Sequence, residues 1–351
     1  MKKALLILSI FGFFMANAQT VFDEYGGNPS VSNLNISPQM FKLMSKFKIS
    51  TDDPESQALI DMIPRQTTEG GTAFAPLAGG SVFNTAIALG RLGTPVQFFS
   101  GLSSDLFGDV LRSELTASKV DSAPANVSDR PTTLAFVTLT NGHASYAFYD
   151  ENTAGRMITK ADLPDVAADA IFFGGISLVV EPCADAYQAL MLREATSCVT
   201  MIDPNIRPGF IKDEAAYRAR LTSMFAVADI IKTSDEDLEW ITGGTDAAAL
   251  FEGTNVQVIL LTRGADGVTV LTRDASVDVP AQKATVVDTV GAGDTFSAGF
   301  LSSLHGAGLL TKATLADARL DDLAAAAGFG ARVAAITVSR AGANPPWASE
   351  L

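Results

Sequence analysis

Short apolar runs alternate along the chain with longer, Ala-rich segments whose apolar residues recur at helical spacing. Apolar runs of strand length predict strands that are buried on both faces, as in a parallel sheet covered by helices. The alternation of such strands with helices indicates an α/β fold. The predicted strands are residues 96–100, 170–173, 199–202, 229–231 and 256–261.

A hairpin pattern lies between residues 132 and 149. Residues 134–140 and 144–149 flank Asn141 and Gly142, a dipeptide that favours a tight turn between two antiparallel strands. An ordinary surface hairpin would give the same pattern, so the spacing alone assigns this element no function.

A strand, a glycine turn and a helix are predicted late in the chain. Residues 284–287 are apolar and β-branched, which favours a strand, while Phe296, Phe300 and Leu304 recur at the spacing of a buried helix face. The helix is therefore predicted to start near Gly293.

The start of this helix predicts an anion site at Gly291, Ala292 and Gly293. The first amides of a helix lack internal partners and carry positive potential, and the glycines let a ligand approach the backbone. Hydrogen bonds in the turn would favour ionised Asp294, which could take a proton from a hydroxyl beside a bound phosphate. Capping of the helix by Asp294 is the alternative. A dinucleotide fingerprint fits worse, because Phe296 stands where a third glycine is required.

Composition excludes several classes of function. The net charge of -14 argues against general binding of nucleic acids or acidic membranes. With 47% hydrophobic residues, 351 residues can form one large α/β domain. His143, His305, Cys183 and Cys198 show no ligand or triad spacing, which argues against zinc and hydrolase sites.

Two glycine-containing motifs resemble the signatures of the ribokinase-like (PfkB) carbohydrate kinases. Residues 288–300, Asp-Thr-Val-Gly-Ala-Gly-Asp-Thr-Phe-Ser-Ala-Gly-Phe, are similar to the second signature. Residues 77–93 and 98–108 are similar to the first, and residues 203–208 and 232–237 resemble the bacterial fructokinase branch. The order of the two signatures is the order that the family has.

The resemblance covers residues 58–351 and implies a ribokinase-like three-layer fold: a mostly parallel central sheet, helices on both faces and a small β lid. The lid would include residues 65–75 and 132–150. The implied activity is transfer of phosphate from ATP to a sugar, with magnesium, and most closely fructose to fructose 6-phosphate. Another sugar, 2-keto-3-deoxygluconate or a nucleoside is the alternative acceptor. The resemblance also suggests a homodimer through the lid.

The resemblance assigns roles to individual residues. It makes Asp294 the catalytic base, with the anion hole at Gly291–Gly293. The implied sugar-binding residues are Asp61, Gly79, Gly80 and Asn84. Carboxylate and amide side chains suit sugar hydroxyls, and glycines admit a sugar ring against the backbone. Gly79 and Gly80 could equally form an ordinary turn, and Asn84 could lie on the outer face of a helix that ends before Gly93.

The family's Asn-x-x-Glu element falls on Ser234 and Asp237, which is a departure from the family pattern. Asp237 is one methylene shorter than glutamate and Ser234 offers no amide, so we expect magnesium contact through water. Without the resemblance, Ser234 is a helix cap and Asp237 completes a capping-box-like pair. The two interpretations are compatible.

Thr262 and Gly264 match a nucleotide contact of the family, and Asp288 with residues 335–341 matches the loop region that holds a monovalent cation such as K⁺. Cationic side chains near the phosphates are needed in so acidic a chain. The candidates are Lys232, Arg207, Arg263 and Arg340.

The first 57 residues do not match the family. Two lysines, an apolar run at residues 4–15 and Ala16-Asn-Ala18 resemble an export signal with its cleavage site, and the run is too short for a membrane span. A buried helix would be similarly apolar. Residues 19–57 differ in composition from the Ala-rich body.

The family's first core strand is replaced here by polar residues 51–57, and a fusion of unrelated coding sequences near residues 53–64 is the simplest account. Asp61 is then expected to lose the strand that positions it. Export also conflicts with the cytoplasm, where ATP is available. The competing hypothesis is therefore an inactive, exported or misfolded fusion that at most binds a ligand.

Overall fold

A computed structural model describes residues 58–140 and 143–351. The predicted export segment at residues 1–18 and the segment 19–57 lie outside the described residues. Within the described part of the chain, no helix is both long and apolar enough to cross a membrane.

The strands are β1 (Leu59–Gln66), β2 (Thr72–Gly79), β3 (Gly101–Ser103), β4 (Asn126–Ser128), β5 (Thr133–Thr140), β6 (His143–Tyr149), β7 (Ala170–Gly174), β8 (Val199–Asp203), β9 (Ile230–Ser234), β10 (Val258–Thr262), β11 (Val268–Leu271) and β12 (Ser276–Val279). The α-helices are α1 (Ser81–Leu92), α2 (Leu106–Ala117), α3 (Cys183–Glu194), α4 (Glu214–Phe225), α5 (Asp235–Thr242), α6 (Ala292–Gly306), α7 (Lys312–Ala316) and α8 (Leu320–Val338).

The main sheet has six strands in the order β12-β11-β10-β9-β8-β7. β7 to β10 are parallel, and β11 and β12 continue the sheet antiparallel. Met201 and Ile202, neighbours on β8, belong to separate buried clusters, because successive residues of a strand point to opposite faces. One cluster includes α3 and α4, and the other includes α6 and α8. The predicted three-layer fold is confirmed, and four of the predicted strands correspond to β7–β10.

A second sheet has four strands in the order β2-β1-β5-β6 and is called the outer sheet below. The predicted hairpin is present, with Thr140 of β5 opposite His143 of β6. β1 lies between β2 and β5, and Asp61 pairs with Leu77 on one side and Ala135 on the other. The expectation that Asp61 lacks a positioning strand is therefore wrong, since two neighbouring strands hold it.

Two predicted strands differ in the structure. Residues 284–287 are irregular: the Val287 amide donates to the Val338 carbonyl at 2.7 Å, and Val286 is 58% exposed. The segment lies against the end of α8 rather than along a strand edge, so it has no ladder to join. Residues 96–100 form only an isolated bridge at Gln97, and the strand begins at Gly101.

The predicted helix after the glycine turn is α6, which begins at Ala292. Phe296, Phe300 and Leu304 are buried, as the spacing predicted. α6 packs against α8 and α1. At the end of α1, Gly93 adopts the left-handed conformation and terminates the helix, as predicted.

Candidate active site

The amino end of α6 is open and uncapped. Gly291 is the N-cap residue, with φ 73°, and no side chain caps the first turn. A Cβ at Gly291 would lie 2.5 Å from the Cβ of Ala343, and one at Gly293 would lie 3.0 Å from Lys232 Nζ. Glycine is therefore required at Gly291 by conformation and by space.

Asp294, in the first turn of α6, is buried and is held by α1. Ser81 Oγ donates to Asp294 Oδ1 at 2.7 Å, and Asn84 Nδ2 donates to Asp294 Oδ2 at 3.0 Å. Asn84 is itself 3% exposed, so its placement on an outer helix face is wrong. The two signature motifs thus meet at one carboxylate.

Burial raises the pKa of Asp294 to about 6, and the hydrogen bonds from Asn84 and Ser81 oppose that rise. The hydrogen bonds to Asp294 do favour its ionised form, as expected, but they come from side chains of α1 rather than from the turn, and desolvation outweighs them. The carboxylate is still largely ionised at pH 7, and it is a stronger base than an exposed aspartate.

A second group of charges lies beside the glycine turn. Lys232 Nζ is 2.8 Å from Asp203 Oδ2, and both side chains are almost fully buried. Burial lowers the pKa of Lys232, but the Asp203 carboxylate outweighs that effect and leaves the pKa above its usual value. Lys232 is therefore cationic next to Gly293, where an incoming anion would lie.

The capping interpretation of Ser234 is confirmed, because its hydroxyl accepts the Asp237 amide at 3.0 Å. The second half of the expected capping box is wrong. Asp237 Oδ1 instead accepts the amide of Ile206 at 3.1 Å, which ties α5 to the segment after β8. Burial and the nearby Asp203 raise the pKa of Asp237 to about 6.

Thr262 lies beside this group, since its position on β10 pairs with Ser234 on β9. Gly264 follows β10 with φ 51°. Both residues lie at the carboxyl ends of parallel strands, where open α/β sheets bind ligands.

Asp288 lies against the loop after α8. Its Oδ2 accepts the Gly342 amide at 2.9 Å and its Oδ1 accepts the Val290 amide at 3.1 Å. Burial raises the pKa of Asp288. The segment containing residues 335–341 and Asp288 are thus brought together, as predicted.

Asp61, Gly79 and Gly80 lie where the outer sheet joins the body. Asp61 is buried in β1, Gly79 pairs with Leu59 at the end of β2, and Gly80 has φ 115°. α1 starts at the next residue, so the turn that ends β2 also positions Asn84. Gly80 therefore connects the outer sheet to the helix that holds Asp294.

The donor set near Asp237 suits magnesium. Asp203 Oδ1 and Oδ2 are buried without a hydrogen-bond partner among the described residues, although Oδ2 is close to Lys232. Mg²⁺ is commonly held by one or two carboxylates together with waters and substrate phosphates. Within the described residues, no group of three or more His, Cys, Asp or Glu side chains is placed to hold a metal ion.

Two features of the site were missed by sequence reasoning. Ser81 holds Asp294, yet only Asn84 was singled out on α1; its i, i+3 spacing from Asn84 is the signal that could have revealed it. The Lys232–Asp203 ion pair joins two strands and has no local sequence signal.

The sequence profile of the pfkB family of carbohydrate kinases matches residues 57–350. The chain belongs to this family. It is therefore a phosphotransferase that acts on a carbohydrate hydroxyl. A fructokinase of Rhizobium leguminosarum bv. trifolii is 55% identical over 265 residues, which are 74% of this chain and 81% of the relative.

Solved structures agree with the fold of this kinase. A fructokinase from Xylella fastidiosa with bound ATP is similar with a TM-score of 0.76 and 30% identity, over 82% of this chain and 92% of that one. A Vibrio cholerae fructokinase, described with fructose, ADP and calcium, has a TM-score of 0.70 at 23% identity, over 83% and 95% of the two chains. The second likeness is evidence for the fold alone.

Proposed function

We propose that this kinase transfers the γ-phosphoryl group of ATP to D-fructose and releases ADP and fructose 6-phosphate. The observation that carries the proposal is the buried Asp294, held by Ser81 and Asn84 beside the uncapped first turn of α6. Similarity to a bacterial fructokinase at 55% identity supports fructose as the acceptor.

In this mechanism Asp294 takes the proton of the attacking sugar hydroxyl. The amides of Gly291, Ala292 and Gly293 donate hydrogen bonds to the negatively charged oxygens of the transferred group. Lys232 adds a fixed positive charge beside Gly293. Phosphoryl transfer needs little covalent help from the protein, so positioning and electrostatics provide most of the acceleration.

The sugar would lie between the outer sheet and α1, in contact with Asp61, Gly79, Gly80 and Asn84. The outer sheet would act as the lid, and its closure would exclude water and limit hydrolysis of ATP. The Phe148 and Phe210 rings, 4.8 Å apart, connect this sheet to the body. We also propose that the enzyme forms a homodimer in which the outer sheets of the two subunits contact each other.

The nucleotide would contact Ser234, Asp237, Thr262 and Gly264 at the strand ends. Asp237 and Asp203 are the residues that would hold magnesium, which when bound neutralises charge on the phosphates. K⁺ near Asp288 would order the loop beside the α6 turn. Because the reaction consumes ATP, we place the working enzyme in the cytoplasm.

The test is a coupled ADP-release assay on the full chain, with fructose, ribose and 2-keto-3-deoxygluconate as acceptors. We expect turnover with fructose that is lost in Asp294→Asn. Turnover with another acceptor only would change the substrate but keep the mechanism. If the folded protein releases no ADP with any of the three acceptors, the proposal is contradicted and the inactive-fusion hypothesis is favoured.

A further inference from the structure

The segment after α8, residues 339–351, packs against the turn that precedes α6. The Gly342 amide donates to Asp288 Oδ2 at 2.9 Å. At the next residue of the segment, the Cβ of Ala343 lies 2.5 Å from where a Cβ on Gly291 would be, so the Ala343 methyl group backs this turn directly. Two successive residues of the segment thus contact the turn that leads into the proposed anion site.

Arg91, in the last turn of α1, holds the following residues of the segment. Its Nη1 donates to Asn344 Oδ1 at 2.9 Å and to the Pro345 carbonyl at 3.1 Å. Its Nε donates to Ser118 Oγ at 3.1 Å, and Ser118 is fully buried. A planar guanidinium that donates to three acceptors is held in one orientation, which fixes the segment relative to α1.

The rest of the segment is fixed as well. Arg91 Cζ lies 5.5 Å from the centre of the Trp347 ring and Lys119 Nζ lies 5.6 Å from it, distances at which cations are attracted to aromatic rings. Glu350 accepts the Trp347 amide at 2.7 Å and pairs with Arg340 at 2.7 Å. The segment is therefore closed on itself by Glu350 and attached to α1 by Arg91.

The same helix, α1, also holds the proposed base. Ser81 and Asn84, in its first turn, donate to the Asp294 carboxylate directly. Arg91 lies in its last turn, so its guanidinium reaches the α6 turn through residues 342–345. The start of α1 thus holds Asp294, and its end holds the segment that backs Gly291.

We propose that Arg91 is a positioning residue for phosphoryl transfer. By holding Asn344 and Pro345 it keeps Ala343 against Gly291, and so fixes the amides at the start of α6 in the orientation that meets the transferred phosphoryl group. Preorganised donors stabilise the charge of that group because they need no rearrangement during the reaction. This role rests on the proposed function, in which those amides form the anion hole.

The first test compares Arg91→Met with the unsubstituted full chain in the coupled ADP-release assay with fructose. Methionine keeps an apolar chain at this position but donates no hydrogen bond. We expect kcat to fall by about 10- to 100-fold, with the KM values for ATP and fructose changed by less than about threefold, because the amides act on the transferring group. Turnover equal to that of the unsubstituted chain would overturn the proposal.

Arg273→Met is the matched control. Arg273 donates to the carbonyls of Phe251 and Thr254, at 3.2 and 2.6 Å, and its Cζ lies 5.2 Å from the centre of the Phe251 ring. It follows β11, whose Leu271 pairs with Ile259 near the start of β10, so it lies at the end of the sheet opposite the proposed site. Arg273→Met should therefore keep its kcat. An equal fall of kcat in both variants would indicate a general loss of stability and overturn the proposal.

The second test separates positioning from folding. Aluminium fluoride takes the place of the transferred phosphoryl group beside ADP, so calorimetry with ADP, Mg²⁺ and fructose measures the gain in affinity that it gives. In Arg91→Met this gain should fall by the same factor as kcat, while the affinity for ADP alone changes by less than about threefold. A loss of binding sites with an unchanged gain would indicate a structural role only and overturn the proposal.

The route through the segment is tested with Ala343→Gly, which removes the methyl group that backs Gly291. If Arg91 acts through Ala343, Arg91→Met should lower kcat little further in the Ala343→Gly chain. Independent effects, whose fold-changes multiply, would overturn this route. An unsubstituted chain that shows neither turnover nor a gain from aluminium fluoride would refute the proposed function itself, which distinguishes the two failures.

Discussion

The two sides of the proposed active site are held in different ways. On the phosphoryl side, Asp294 and Asn84 lie on helices that are buried against the main sheet, and their side chains fix one another at 3.0 Å. On the sugar side, Asp61 lies in the outer sheet, whose Phe74 and Tyr149 are exposed at 38% and 62%. The proposal thus assigns chemistry to a packed core, and substrate contact to a sheet that carries exposed aromatic side chains.

The largest expected effect comes from removing the base on the packed side. Asp294→Asn keeps the size of the side chain but cannot take a proton, so we expect turnover to fall by about 10³- to 10⁴-fold. ATP affinity should remain within a few-fold, as measured by calorimetry. Asp274→Asn, on the surface, is the matched control, and near-normal turnover of Asp294→Asn would refute the role of base.

The next effect tests the backbone of the same side. Gly291→Ala would place a Cβ 2.5 Å from Ala343 Cβ at φ 73°, so the amides of the α6 turn must move. We expect turnover to fall by at least about 100-fold.

Gly93→Ala is the control for Gly291→Ala, because Gly93 also has positive φ, at 86°, but has open space around its Cβ. It should cost about 1 kcal/mol of the free energy of unfolding and leave turnover unchanged. Equal losses of turnover in the two variants would show that strain, not the anion site, explains the result.

A smaller effect is expected on the sugar side. Asp61→Asn removes a charged acceptor for sugar hydroxyls, and we expect kcat/KM for fructose to fall by about 10- to 100-fold with the KM for ATP unchanged. Steady-state kinetics with each substrate varied in turn would check this. Glu69→Gln, in the exposed turn between β1 and β2, is the control; a matching fall there would remove the distinction between the two sides.

The smallest effect is a pH dependence. Because the pKa of Asp294 is raised to about 6 and only the ionised form takes a proton, kcat/KM should fall about tenfold per pH unit below 6. Asp237 also has a pKa of about 6, so Asp237→Asn is the discriminating variant. The acid limb should persist in that variant, and its disappearance would assign the limb to Asp237.

The same raised pKa values determine how stability depends on pH. The folded state binds these protons more tightly than the unfolded state, so their contribution is present at low pH and is lost as the pH rises from about 4 to about 6. In that range, urea unfolding should show less loss of stability with rising pH for Asp294→Asn than for the unsubstituted chain.

Local patterns predicted much of this molecule. The spacing of Phe296, Phe300 and Leu304 predicted the buried face of α6, and the Asn141-Gly142 turn predicted the β5–β6 hairpin, because both depend on neighbours in the chain. Ser234 as a helix cap is a local hydrogen bond of the same kind. The two signature motifs predicted the family, which the comparison confirmed.

Properties that depend on distant parts of the chain were not predictable in this way. Residues 284–287 have the composition of a strand, but a strand forms only where another edge is available. Asp61 was expected to be unsupported, yet β2 and β5 pair with β1 on both sides.

The sequence by itself determined the helix–strand alternation, the glycine turn and the family to which the chain belongs, because each depends on residues that are close together in the chain. Only the tertiary structure decided that Asn84 faces Asp294 and that burial raises the pKa of that carboxyl. It also decided that Lys232 pairs with Asp203. Desolvation and ion pairing depend on which elements fold against one another, and no local pattern encodes that.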